Sequence, residues 1–129
     1  MNSVIYQIEK TKKTPSICFD PNSGKLEING SSLPDDSYKF YEPLLELIDF
    51  YLESPQQKTE LHFQISYFNT SSSKILLQLL QKFDVLFEKG LLINAFWYYD
   101  DEDQEIYEAG QTYRSSIKIP LHIKAFALD

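Results

Sequence analysis

From residue 37 onward the hydrophobic period of this chain switches repeatedly between helix and strand, and few folds accept that pattern. Residues 37–53 carry Phe40, Leu44, Leu47, Ile48, Tyr51 and Leu52 at helical spacing. Ser37 is the expected N-cap and Ser54-Pro55 the stop. Pro43 is tolerated best in a first turn, which moves the expected start of the regular helix to Phe40 or beyond. Residues 60–68 then alternate as a strand, with Leu61, Phe63, Ile65 and Tyr67 on one face and His62, Gln64, Ser66 and Phe68 on the other. A second helix is expected from about Ser72 to Glu88. Its buried stripe would be Ile75, Leu76, Leu79, Leu80, Phe83 and Phe87, with Gly90 just past its end. Residues 91–99, Leu-Leu-Ile-Asn-Ala-Phe-Trp-Tyr-Tyr, are the most apolar segment, and their length and aromatic content favour a central strand. A third helix near 103–113 (Ile106, Tyr107, Ala109, Tyr113) and a last strand over 116–128 complete the series. In that strand Ile117, Ile119, Leu121 and Ile123 alternate, and Pro120 puts it at a sheet edge or a bulge.

Before residue 37, residues 4–10 partly alternate and read as a strand. Residues 16–20 and 25–30 flank Pro21-Asn22-Ser23-Gly24, a turn composition that makes them a hairpin. The full order is β-β-β-α-β-α-β-α-β. Strands separated by helices imply right-handed crossovers and a parallel half-sheet, to which the hairpin adds an antiparallel edge. The expected fold is α/β: a mixed sheet with an N-terminal antiparallel hairpin and about three helices. A chain of 129 residues with 43% apolar and 24% charged residues can bury a real core. It is expected to form a single domain over residues 1–129.

Charge and residue inventory remove several functions. Twelve Lys and Arg against nineteen Asp and Glu leave a net charge of −7. The one dense basic group is Lys10, Lys12 and Lys13, so a nucleic acid partner is not expected. A single cysteine, Cys18, excludes an intramolecular disulfide and a Cys-rich zinc site, and it is expected to pack rather than react. His62 and His122 lie far apart in the chain and neither has the local company of a catalytic triad or a metal site. No P-loop, G-x-S-x-G or G-x-G-x-x-G occurs, and no cofactor or metal is expected. No apolar run of eighteen residues and no signal-peptide pattern after Met1 are found; the expected location is cytoplasmic, away from membrane.

Two loops carry the remaining chemistry. The first, Tyr67-Phe68-Asn69-Thr70-Ser71-Ser72-Ser73-Lys74, joins a strand to a helix. Its hydroxyls fit two roles: capping the helix through a side-chain oxygen, or accepting a phosphoryl group where free N–H groups and the helix dipole favour an anion. The second, Asp100-Asp101-Glu102-Asp103, opens a helix. Its carboxylates fit either a favourable first turn or a magnesium site. If strands 60–68 and 91–99 are parallel neighbours, both loops leave the same sheet edge. Tyr38, Phe40 and Tyr41 fit two roles: a partly exposed patch at the start of the first helix, of the kind that anchors partners, or core packing, the commoner fate of such residues.

Six blocks in order then make the chain familiar. They are Thr14-Pro15, Gly30-x-Ser32-x-Pro34, Phe40-Tyr41-x-Pro43-Leu44, Tyr67-Phe68-Asn69-Thr70-Ser71-Ser72, Trp97-Tyr98-Tyr99 with its acidic run, and Glu108-Ala109-Gly110. The chain resembles the SiaC family of bacterial regulatory phosphoproteins, departing at Leu33, where the family pattern usually has an aromatic. The resemblance implies a STAS-like sandwich, as in anti-sigma-factor antagonists, and a protein without catalysis of its own. It implies a kinase that phosphorylates Thr70, within a switch loop of Asn69, Ser71 and Ser72, and a metal-dependent phosphatase that reverses the reaction. It further implies that the unmodified form activates a diguanylate cyclase, in cyclic-di-GMP and biofilm control. Candidate partner-binding residues are Tyr41, Asp100, Asp101 and Asp103. Two rivals remain: a magnesium-dependent hydrolase or phosphotransferase built on Asp100–Asp103, and a small-ligand binder using the aromatic surface.

Overall fold

A computed structural model describes residues 4–126 of the chain. Strands β1 (Tyr6–Ile8), β2 (Ser16–Asp20), β3 (Lys25–Ser32), β4 (Lys58–Phe68), β5 (Leu92–Asp100) and β6 (Leu121–Phe126) make one sheet whose spatial order follows the chain. β1, β2 and β3 are antiparallel; β3 to β6 are parallel. Helices α1 (Ser37–Glu53), α2 (Thr70–Lys82) with the one-turn α3 (Asp84–Glu88), and α4 (Gln104–Ser116) fill the three parallel crossovers. Gly24, at φ 73°, closes the β2–β3 turn, its N–H bonding Asp20 O at 2.9 Å. The fold is the expected mixed α/β sandwich.

Because each crossover advances by one strand in the same direction, the helices share a layer. One face of the sheet buries Ile17, Phe19, Leu26, Ile28, Leu61, Phe63, Ile65, Ile93, Ala95 and Trp97 beneath them. The opposite face is open. There His62, Phe96 and His122 stand side by side on β4, β5 and β6, Phe96 stacked at 4.7 Å on one imidazole and 5.1 Å on the other. His62 Nδ1 bonds the Tyr98 hydroxyl at 2.9 Å. Cys18 lies half-buried on the same open face, between buried Ile17 and Phe19. No helix among the described residues is long and apolar enough to cross a membrane.

Several sequence expectations change in detail. The strand expected over 4–10 contracts to β1. α1 is capped by Asp36, whose Oδ1 accepts the Lys39 N–H at 3.0 Å, so Ser37 falls inside the helix, is buried, and Pro43 sits in the second turn. β4 carries an extra residue opposite the Gly30–Ser31 step. A bulge of this kind reverses which side chains face the core. Tyr67 is therefore 68% exposed, while Phe68 turns in against Trp97. The helix expected over 72–88 breaks at Phe83, which rotates the stripe: Leu86 is buried and Phe87 is exposed. The last strand starts only at Leu121, because the N–H groups of Lys118 and Ile119 bond the Asp84 carboxylate instead of a ladder. β6 is an edge strand immediately after Pro120, as that residue demands. Residues 127 and 128 of the expected strand lie outside the described residues.

Trp97 anchors the helix layer. It is fully buried, its Nε1–H donates to Ile106 O at 2.8 Å, and Tyr113 meets it edge-on at 5.2 Å. Gly110 lies flat against the indole: a Cβ there would come within 2.5 Å of Trp97 Cδ1. Helix propensity alone would favour alanine at this position by about 1 kcal/mol. Overpacking a rigid buried ring costs about 1–3 kcal/mol and should outweigh it. Gly110→Ala is therefore expected to lower the midpoint of urea unfolding at unchanged m-value, and a midpoint at or above wild type would contradict the packing argument.

Candidate functional site

β4 ends where the chain must both close a strand and open a helix. Asn69 does both. Its N–H bonds Ser32 O at 3.1 Å, continuing the β3–β4 ladder, while its Oδ1 accepts the Ser72 N–H at 2.9 Å as the N-cap of α2. The cap is thus Asn69, not one of the hydroxyls that follow it. Asn69 Nδ2 donates to Pro34 O at 3.2 Å, tying the loop that precedes α1 to the start of α2.

Beneath this junction lies a network of hydroxyls closed off from water. Ser32, Ser72, Tyr41 and Ser37 are buried. A hydroxyl removed from water costs free energy unless it finds a partner, and each of these does. Ser32 Oγ donates to Ser72 Oγ at 2.8 Å and bonds the Tyr41 hydroxyl at 2.6 Å. Since the single Ser32 proton is engaged with Ser72, Tyr41 is the donor to Ser32. Ser37 Oγ reaches Ser71 Oγ at 2.7 Å, Ser72 Oγ at 3.2 Å and Asn69 Oδ1 at 3.4 Å. The four residues of the hydroxyl run therefore differ sharply. Ser72 is locked in the network. Ser71 is exposed but bonded to Ser37 and, at 3.2 Å, to Asn69 Oδ1. Ser73 bonds the Tyr113 hydroxyl at 3.0 Å. Thr70 is exposed, and its hydroxyl makes no hydrogen bond among the described residues.

Tyr41 corrects an expectation. Offered by the sequence for a partly exposed partner-binding patch, it is instead fully buried and belongs to this network. The helical spacing turns it inward with Leu44, Leu45 and Ile48, leaving Tyr38 exposed beside it. Sequence reasoning missed the roles of Ser32 and Ser37. The signal available was the recurrence of small hydroxyl residues at the two strand-to-helix junctions, whose proximity only the parallel β3–β4 pairing reveals.

The acidic loop leaves the same sheet edge, since β4 and β5 are parallel neighbours. Their pairing stops at Phe63–Trp97 although both strands continue, and the gap between them opens a cleft of about 530 Å³. Tyr67 lines one wall; Tyr99, Asp100, Asp103 and Ile106 line the other. Asp101 is exposed outside it. The loop carboxylates serve local structure: Asp100 Oδ1 accepts the Glu102 N–H at 2.9 Å, and Asp103 Oδ1 caps α4 by accepting the Ile106 N–H at 3.1 Å. Among the described residues no group of three or more His, Cys, Asp or Glu side chains is arranged to hold a metal ion.

The model of the SiaC family, described as regulatory phosphoproteins, matches residues 8–126. This chain belongs to the SiaC family. An uncharacterised protein of Pseudomonas aeruginosa is 28% identical over 118 residues, covering 92% of this chain and 94% of its own length. Two SiaC crystal structures from the same organism are 27% identical at TM-score 0.88. One is SiaC alone, covering 95% of this chain and 100% of that chain; the other is SiaC as the activator in complex with the diguanylate cyclase SiaD, covering 94% and 99%.

Burial pushes the Tyr41 hydroxyl up to about 12 from its usual 10, the bond to Ser32 opposing the shift. A raised tyrosine favours the folded state while it remains protonated. The contribution is complete below pH 10 and falls as pH rises from about 10 to about 12, by at most about 1.4 kcal/mol per pH unit. Tyr41→Phe should flatten that part of the stability–pH curve measured by chemical denaturation. An unchanged slope would show that Tyr41 ionises as freely as in the unfolded chain. In the same assay at pH 7, Asn69→Ala should cost about 1–2 kcal/mol through loss of the α2 cap.

Proposed function

We propose that this SiaC-family protein is a non-catalytic switch, acting as one domain in the cytoplasm, whose phosphorylation at Thr70 decides whether a partner docks. A kinase adds the phosphoryl group and a phosphatase removes it. The partner we propose is a diguanylate cyclase, by analogy with the complex of the related SiaC. The observation that carries this reading is the state of the hydroxyl run: three of its four side chains are bonded or buried, and Thr70 alone is exposed with a hydroxyl free to react.

The physics of the switch is local. Thr70 is the first residue of α2, where N–H groups have no intrahelical acceptor and the helix dipole is positive. A phosphoryl group there adds roughly −1.5 to −2 charges. Lys74, one turn on, can face it. The fold therefore tolerates the modification. A partner docked over the neutral hydroxyl surface does not: burying a strongly hydrated dianion without a cation costs several kcal/mol, enough to abolish micromolar binding. Asp100, Asp101 and Asp103 at the same sheet edge add to the repulsion of any anionic partner surface and attract a basic one.

Calorimetric titration of the cyclase from the same cells tests the proposal. Thr70→Ala should bind within about threefold of wild type, whereas Thr70→Asp and the phosphorylated protein should bind at least about tenfold more weakly, a difference of about 1.4 kcal/mol. Equal affinity for all four forms would reject the switch.

A further inference from the structure

We infer that Ser37, at the start of α1, directs phosphorylation to Thr70 by holding the neighbouring Ser71 hydroxyl out of reaction. This rests on the reading that a kinase acts on the α2 N-terminus, and adds to it the residue that chooses the acceptor.

Phosphoryl transfer demands two things of an acceptor hydroxyl. Its oxygen must offer a lone pair to the γ-phosphorus of a nucleoside triphosphate, and its proton must pass to a base of the kinase. The new oxygen–phosphorus bond forms as the bond from that phosphorus to the bridging oxygen breaks, and its electron pair leaves on the diphosphate. Thr70 and Ser71 are adjacent, exposed, and equal in this chemistry. They differ in what holds them. Ser71 Oγ donates to Asn69 Oδ1 at 3.2 Å and lies 2.7 Å from Ser37 Oγ. The 2.7 Å contact holds the Ser71 oxygen whichever of the two hydroxyls donates across it. Thr70 Oγ1 has no such bond among the described residues. Transfer to Ser71 must first break these contacts; transfer to Thr70 breaks none.

Ser37 is well placed for the task because it is buried and bonded on several sides. It is buried in the first turn of α1 and also bonds Ser72 and Asn69. Its hold on Ser71 crosses from α1 to α2, so Ser71 is tied to a second helix as well as to its own. Ser32 supplies a natural control. It is equally buried in the same network, but its side chain bonds Ser72 and Tyr41 and, across the sheet edge, nothing on Ser71.

The experiment is site-resolved phosphopeptide mapping of the full chain purified from the cells that make it. Wild type should carry its phosphoryl group on Thr70. Thr70→Val, which keeps the shape and removes the acceptor, should leave Ser71 largely unmodified. Adding Ser37→Ala should raise Ser71 occupancy roughly fivefold, the factor that one net hydrogen bond is worth. Adding Ser32→Ala to Thr70→Val should leave Ser71 unchanged. Ready transfer to Ser71 in Thr70→Val alone, no rise with Ser37→Ala, or an equal rise with Ser32→Ala would each overturn the assignment, the last by showing general loosening of the loop. Wild type without phosphate on Thr70 would instead remove the phosphorylation reading itself, and that result is read before any variant is compared.

Discussion

A hydroxyl shut away from water has to find another polar group, and at the junction of β3, α1, β4 and α2 this chain buries four of them together. Ser32, Ser37, Ser72 and Tyr41 satisfy one another, and Asn69 closes the cluster from above while capping α2. Their geometry is mutually dependent. Ser32 must end β3 at the level where Ser72 opens α2, and Ser37 must start α1 one turn above Tyr41. The functional consequence follows from the same constraint. A network that uses up its neighbours leaves Thr70 as the one hydroxyl of the 70–73 run with no hydrogen bond among the described residues.

The second constraint is the direction of the sheet. Every parallel crossover steps the same way, so the helices cover one face and the other stays open. The open face is occupied by charged pairs and by the His62–Phe96–His122 row, which fills it without a covering layer. The helix-side core is closed around Trp97, held at its nitrogen by Ile106 O and on its flat side by Gly110. At the C-terminal edge β4 and β5 part after Phe63 and Trp97, which sets the end of β4, at Tyr67, and the acidic loop, at Asp100 and Asp103, on opposite sides of a cleft. This chain and the SiaC of Pseudomonas aeruginosa, 27% identical, share the overall fold at TM-score 0.88, as expected when a few packing rules, rather than many specific contacts, define it.

The legibility of the chain tracked the range of the forces involved. Periodicity marked α1, β4, β5 and α4 within a few residues, because a repeat of 2 or 3.6 is written locally. It misjudged Tyr67 and Phe68, since the bulge in β4 answers to the register of β3, a partner thirty-odd residues away. It joined α2 to α3 across Phe83, because the apolar stripe runs on through the break between them. It extended β6 backward over Ile117 and Ile119, blind to the Asp84 carboxylate that takes their neighbours' N–H groups. Tyr41 turns inward because α1 begins at Ser37, which sets Tyr41 on the buried stripe with Leu44, Leu45 and Ile48.

By itself, then, the order of residues determined the class of fold, the chain order of the strands and the identity of the hydroxyl and acidic loops, since patterning and turn chemistry act over a handful of neighbours. Which of four adjacent hydroxyls stands free was decided only by tertiary structure. Ser37 and Ser32 are distant in the chain and reach Ser71 and Ser72 through the parallel pairing of β3 with β4, and a hydrogen bond is effective only at the short range that pairing creates.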